Sequence, residues 1–158
     1  CSAHLLEAEL HRFGAAYQIG LRDGVFARLN LIEGEMGADM QFLSELFAWL
    51  TESQAGWDQF FFDWYGGEAS AARAAASPQA ALYADTDFAP IRSGMAGRTG
   101  ASASEFLRHP YFQRDTPVTL IIDEVEKVWA PIAESDDWSW YEAKLRDIAS
   151  LREALGPS

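Results

Sequence analysis

The chain has 158 residues, of which 49% are hydrophobic and 13% aromatic. That is enough to bury a core without a disulfide or a metal, and it excludes general disorder. The 24 Asp and Glu outnumber the 12 Lys and Arg, giving a net charge of −12. This field opposes binding to nucleic acid or to an anionic membrane surface, and no apolar run is long enough to span a bilayer. The expected partner is therefore a protein, with no nucleic acid and no membrane. The single cysteine, Cys1, closes no disulfide and builds no thiolate zinc site, so a cytoplasmic setting is expected. A chain opening on Cys reads as a cropped or excised domain. The lipidated start of a bacterial lipoprotein fits less well, because helical periodicity begins at once.

In chain order, Leu6, Leu10, Phe13, Tyr17, Leu21, Val25 and Leu29 recur at spacings of three and four. They predict one long amphipathic helix, or two halves joined near Gly20 or Gly24, with Ser2 as N-cap. Asp39 is placed to cap a second helix carrying Leu43, Leu46, Phe47 and Leu50. A short third helix holds Trp57, Phe60, Phe61 and Trp64 and stops at Gly66-Gly67. An Ala-rich helical stretch follows, broken by Ser77-Pro78. Residues 84–101, with Pro90 and three glycines, predict a long irregular loop or a sub-domain joint. Ser102 and Glu105 form a capping box for another short helix. Thr116-Pro117 reads as N-cap and N1 of a helix whose apolar face is Ile121, Val125, Val128 and Ile132. The β-branched run 118–122 also suits a strand, but the helical spacing continues to residue 132. Pro131 is expected to kink the last turn. Asp136-Asp137 opens the final helix, with a capping box of Ser139 and Glu142, and Gly156-Pro157 ends it.

The side-chain groupings with the residue types of chemical sites read mostly as ordinary structure. His4, Glu7 and His11 share a helix face at metal-ligand spacing, but no second cluster completes a site. Asp85 and Asp87 match a magnesium pair, yet such spacing before a proline is usually turn chemistry. The segment 94–100 is glycine-rich but lacks the Lys-Ser/Thr of a phosphate loop. Ser, His and Asp occur without a nucleophile elbow. The acidic residues between Asp123 and Asp137 read as a solvated face. No catalytic, metal or cofactor-binding residue is assigned, and no cofactor is expected.

Two stretches resemble a known family. Phe13-Gly-Ala-Ala-Tyr17, Leu21-Arg22 and Ala27-Arg28-Leu29-Asn30-Leu31 form the first, followed by the aromatic run Trp57 to Trp64. Val125-Glu126-Lys127-Val128, Glu134-Ser-Asp136 and Tyr141-Glu142-Ala143-Lys144-Leu145 form the second. Together they resemble the C-terminal region of the selenoprotein O (SelO/YdiU) family, protein adenylyltransferases of pseudokinase fold. Thr119-Leu-Ile-Ile-Asp-Glu stands where that family carries an Asn-Pro … Arg-Asn-His-Arg stretch, and the family's terminal Cys or selenocysteine segment has no counterpart. The resemblance implies a helical C-terminal-type domain whose parent transfers AMP from ATP to protein hydroxyls. The ATP- and metal-binding residues of that family lie upstream of this region, so none is carried over and the domain is not expected to be catalytic by itself. The partner is then the catalytic domain of a parent chain. The alternative is a stand-alone acidic helical interaction module.

The expected architecture is all-α, an irregular helical bundle forming a single domain over residues 1–158. Its expected core includes Leu10, Phe13, Tyr17, Leu43, Leu46, Leu50, Phe61, Val125, Val128, Leu145 and Ile148. Six aromatics crowd residues 57–65. One helix face cannot bury them all, so Trp57, Phe62 and Tyr65 are the candidate partner-binding residues, with Trp49 nearby. Phe62 decides between a surface patch and a second internal contact.

Overall fold

The computed structural model describes residues 3–156, with side chains from Leu6 onward. Cys1, Ser2 and Pro157, and the side chain of His4, lie outside the described residues. The protein is all-α: among the described residues there is no strand, only a single bridge between Leu31 and Thr99. The chain divides into two compact units, one ending at Ala103 and one beginning at Ser104.

In the first unit, α1 (Ala3–Leu29) is one continuous helix that runs through Gly14, Gly20 and Gly24 without a joint. The helix α2 (Met36–Ser53) starts at Glu35, whose carboxylate accepts the Ala38 amide at 3.2 Å. Asp39, expected as the cap, instead sits fully buried inside the first turn. Its carboxylate takes the Gly34 amide at 2.9 Å and the Arg98 guanidinium at 2.5 Å. The buried carboxylate thereby anchors the glycine-rich segment 94–100, which reads as a flexible loop from sequence alone. Next come α3 (Trp57–Asp63) and the turn at Gly66 and Gly67, both at positive φ. Short helices α4 (Ala71–Ala74) and α5 (Ala80–Tyr83) flank Ser77-Pro78.

Residues 84–101 are not an irregular loop. They form a 3-10 turn, Thr86–Phe88, and the helix α6 (Ala89–Met95). Asp85 caps the turn by accepting the Asp87 amide, and Pro90 lies in the first turn of α6, where its missing N–H costs nothing. Gly94 permits a close approach of α6 to α2: a Cβ there would strike the Phe42 ring.

The core of this unit comes from Val25, Phe26 and Leu29 of α1, the Leu43, Leu46 and Leu50 face of α2, and the aromatics Trp49, Phe60, Phe61, Trp64, Tyr83 and Phe88. Leu10, Phe13 and Tyr17 are not in it. They are 61%, 68% and 60% exposed, because the rest of the unit packs only on the last turns of α1. The α1 glycines offer a direct check on helix continuity. A Cβ at Gly14 or Gly20 meets nothing within 4 Å, and neither has positive φ. Gly14→Ala and Gly20→Ala should each stabilise α1 by roughly 0.5–1 kcal/mol, read as increased helicity by circular dichroism.

The second unit begins within the short helix α7 (Ala103–Phe106), continues through a 3-10 turn (Pro110–Gln113), and ends in α8 (Ile122–Ser135) and α9 (Ser139–Leu155). Helix α8 starts later than the Thr116-Pro117 signal predicts. Residues 117–121 form no helix, as their β-branched composition allows. It continues through Pro131, which has no N–H to donate to the Lys127 carbonyl, and closes on Asp136 in the left-handed region. Asp137, one residue before the N-cap Trp138 of α9, accepts the Ser139 amide at 2.9 Å; the expected Ser139–Glu142 box does not form. That hydrogen bond holds the Asp137 carboxyl below its ordinary range.

Two polar ties hold the second unit. Arg114 grips Asp147 of α9 through two nitrogens, at 2.9 and 3.3 Å. Lys144 of α9 reaches Glu124 of α8 at 3.1 Å and the Thr119 carbonyl at 3.4 Å. Lys144, with Lys127 behind it, keeps the Glu124 carboxyl below its ordinary range. Of the core residues expected here, Val128 and Ile148 are half-buried, whereas Val125 and Leu145 are exposed. Helix α8 buries no residue completely.

Candidate interaction surface

The aromatic segment 57–65 resolves differently from its helical wheel. Trp57, a candidate partner residue, is 46% exposed and stacks on Phe47 with ring centroids 5.5 Å apart. Phe62 and Tyr65 are each 5% exposed and Trp49 is 6% exposed, so of the two alternatives for Phe62 the internal contact holds. The surface patch of Phe62, Tyr65 and Trp49 therefore does not form, and of the three candidate residues only Trp57 reaches solvent. The cause is local. Helix α3 is only seven residues long, and after the Gly66-Gly67 turn the chain brings the Arg73 guanidinium over the Phe62 ring, 4.7 Å from its centre. Phe62→Ala should therefore lower stability by about 3 kcal/mol, seen as a large fall in melting temperature. Unchanged melting would return Phe62 to the surface.

Asp63, beside Phe62 in sequence, is 1% exposed. Its carboxylate accepts hydrogen bonds from Gln59 at 2.9 Å, from the Tyr83 hydroxyl at 2.8 Å and from the Ser77 hydroxyl. Burial, then the nearby carboxylate, push the Tyr83 hydroxyl well above its ordinary pKa. A buried acid beside a tyrosine has the ingredients of acid–base chemistry, but the Ser77 and Tyr83 bonds are spent on joining α3 to the Ser77 turn and α5, and the Gln59 bond lies within α3. Beside the cluster lies an open groove of about 550 Å³, lined by Trp64, Tyr83, Glu68, Arg92 and several alanines. Arg92 is turned to the Tyr83 carbonyl, at 2.9 Å, and Glu68 accepts the Gly97 amide at 3.3 Å.

The other sequence candidates do not converge. Asp85 serves its own turn, accepting from the Thr86 hydroxyl and the Asp87 amide. Among the described residues no three His, Cys, Asp or Glu side chains come together as a metal site. Nor is any helix among them long and apolar enough to cross a membrane.

What the structure does place at the surface is aliphatic and aromatic. On α1, Leu6, Leu10, Phe13 and Tyr17 form one exposed stripe, and every described residue from Leu6 to Gly20 is exposed. Phe13 and Tyr17 stack on each other at 6.2 Å. In the second unit, Ile122, Val125 and Trp129 of α8 and Tyr141 and Leu145 of α9 are exposed. Scattered apolar residues on a surface are ordinary; stripes at helical spacing are the mark of a face that packs on something. The missed signal was legible as spacing but not as exposure. Searches against protein-family models, curated proteins and solved structures give no match.

Proposed function

We propose that this chain is a non-catalytic helical docking domain, and that its partner is the catalytic domain of a protein adenylyltransferase. The observation that carries the docking role is the α1 stripe. About four exposed turns of helix, with an apolar row at i, i+4, i+7 and i+11, are marginal in water without a partner. The resemblance of Phe13–Leu31 and Val125–Leu145 to the selenoprotein O family supports the choice of partner. The dispersed acids and the missing phosphate loop support the absence of chemistry within the chain.

The test uses ATP labelled in its α-phosphate. The whole polypeptide encoded by the gene, supplied with magnesium, should transfer labelled AMP to protein hydroxyls. Residues 1–158 alone should transfer none, and should not bind magnesium-ATP more tightly than roughly millimolar by calorimetry. Transfer by residues 1–158 would overturn the non-catalytic reading. No transfer by the whole polypeptide would overturn the choice of partner and leave the stand-alone acidic interaction module.

A further inference from the structure

Helix α8 presents a second face whose chemistry differs from that of α1. At about 100° per residue, Ile122, Val125 and Trp129 fall within an arc of about 60°. All three are exposed, at 68%, 45% and 61%. The adjoining arc carries Glu126, then Asp123 and Glu134. None of these three carboxylates has a cation partner among the described residues. The nearby lysines are spent elsewhere: Lys127 and Lys144 both bind Glu124, on the side of α8 that faces α9. On α9, Arg146 lies beside Glu142, and Asp147 takes Arg114. The apolar row of α8 is thus bordered by unneutralised negative charge.

We propose that this face of α8 docks a basic amphipathic helix, one whose apolar row is flanked by Lys or Arg. Trp129 is the anchor, since a large aromatic in the middle of a patch supplies most of the binding energy. Asp123, Glu126 and Glu134 select the partner's sign of charge and speed its approach. A second copy of this chain is a poor occupant, because it would bring the same acidic border against its like. An anionic lipid surface is repelled on the same ground. The proposal stands independently of the adenylyltransferase reading, since it rests on α8 alone.

The experiment titrates the chain with two synthetic amphipathic peptides, one of Leu and Lys and one of Leu and Glu in the same pattern. The Leu–Lys peptide should bind and the Leu–Glu peptide should not. The variant Asp123→Lys with Glu126→Lys should weaken Leu–Lys binding at least about tenfold. Trp129→Ala should weaken it comparably at high salt, where screening leaves the apolar contact dominant. The control Glu45→Lys with Glu52→Lys, on α2, changes the net charge equally and should have a much smaller effect. Circular dichroism confirms that each variant keeps its helix content. Equal losses from the α8 and α2 reversals would overturn the proposal, because binding would then follow net charge alone. Binding that survives Trp129→Ala at high salt would overturn it as well. Self-association of the chain that Trp129→Ala abolishes would assign the face to a second copy.

Discussion

Phe88→Ala should lower the stability of the first unit by about 4–5 kcal/mol, the largest effect expected of any single truncation. Phe88 is 0% exposed and stands at the centre of an aromatic cluster. Its ring centre is 4.8 Å from Trp49, 5.0 Å from Trp64, 5.2 Å from Tyr83 and 6.3 Å from Phe60. These rings come from α2, α3, α5 and the 3-10 turn at 86–88, so one side chain links four elements. Truncation removes the buried ring and leaves a cavity that four large, stiff neighbours cannot close. Each ring pair also loses a tilted or edge contact beyond area burial. Urea unfolding at constant slope measures the change. A loss under about 1 kcal/mol would mean that the cluster repacks, contrary to a close-packed aromatic centre.

Asp63→Ala should cost about 4 kcal/mol, with a different origin. Nothing apolar is lost; instead the Tyr83 and Ser77 hydroxyls and the Gln59 amide lose their common acceptor. Each buried donor left unpaired costs on the order of 1–3 kcal/mol, softened where water enters. Asp63→Asn keeps the shape and one acceptor oxygen, and should lose roughly half as much. The same network sets an alkaline limit. The pKa of Tyr83 is raised in the folded protein, so its contribution is complete below the ordinary tyrosine value of 10.0 and is lost as pH rises beyond it. Above that pH, stability should fall by about 1.4 kcal/mol per pH unit from this group. Tyr83→Phe should remove that slope. An unchanged slope in Tyr83→Phe would place the titration elsewhere.

Helical spacing made much of the fold legible. The row Leu43, Leu46 and Leu50 gave both α2 and its buried face, because the rest of the first unit covers that face. Leu10, Phe13 and Tyr17 have the same spacing and are exposed. Periodicity identifies the apolar side of a helix; only the tertiary structure decides whether anything in the chain lies against it. The acid positions were harder. Asp63 finds partners 14 and 20 residues onward, and Asp39 finds Arg98 59 residues onward. No local pattern announces such pairs. Glycine and proline misled at 84–101, since Pro90 and Gly94 are accommodated within α6, at its first turn and at its contact with Phe42. The interaction surface was expected among the densest aromatics. The exposed apolar rows lie instead on α1 and α8.

Amide hydrogen exchange along α1 tests the central claim most directly. It should be measured on residues 6–20 in the 158-residue chain and in the whole polypeptide encoded by the gene. In the chain alone these amides belong to an exposed, marginal helix and should exchange quickly, while those of Val25 to Leu29 stay protected. In the whole polypeptide, a catalytic domain seated on Leu6, Leu10, Phe13 and Tyr17 should slow their exchange by a factor of about ten or more. Equally fast exchange in both would contradict the assignment of this stripe as the docking face.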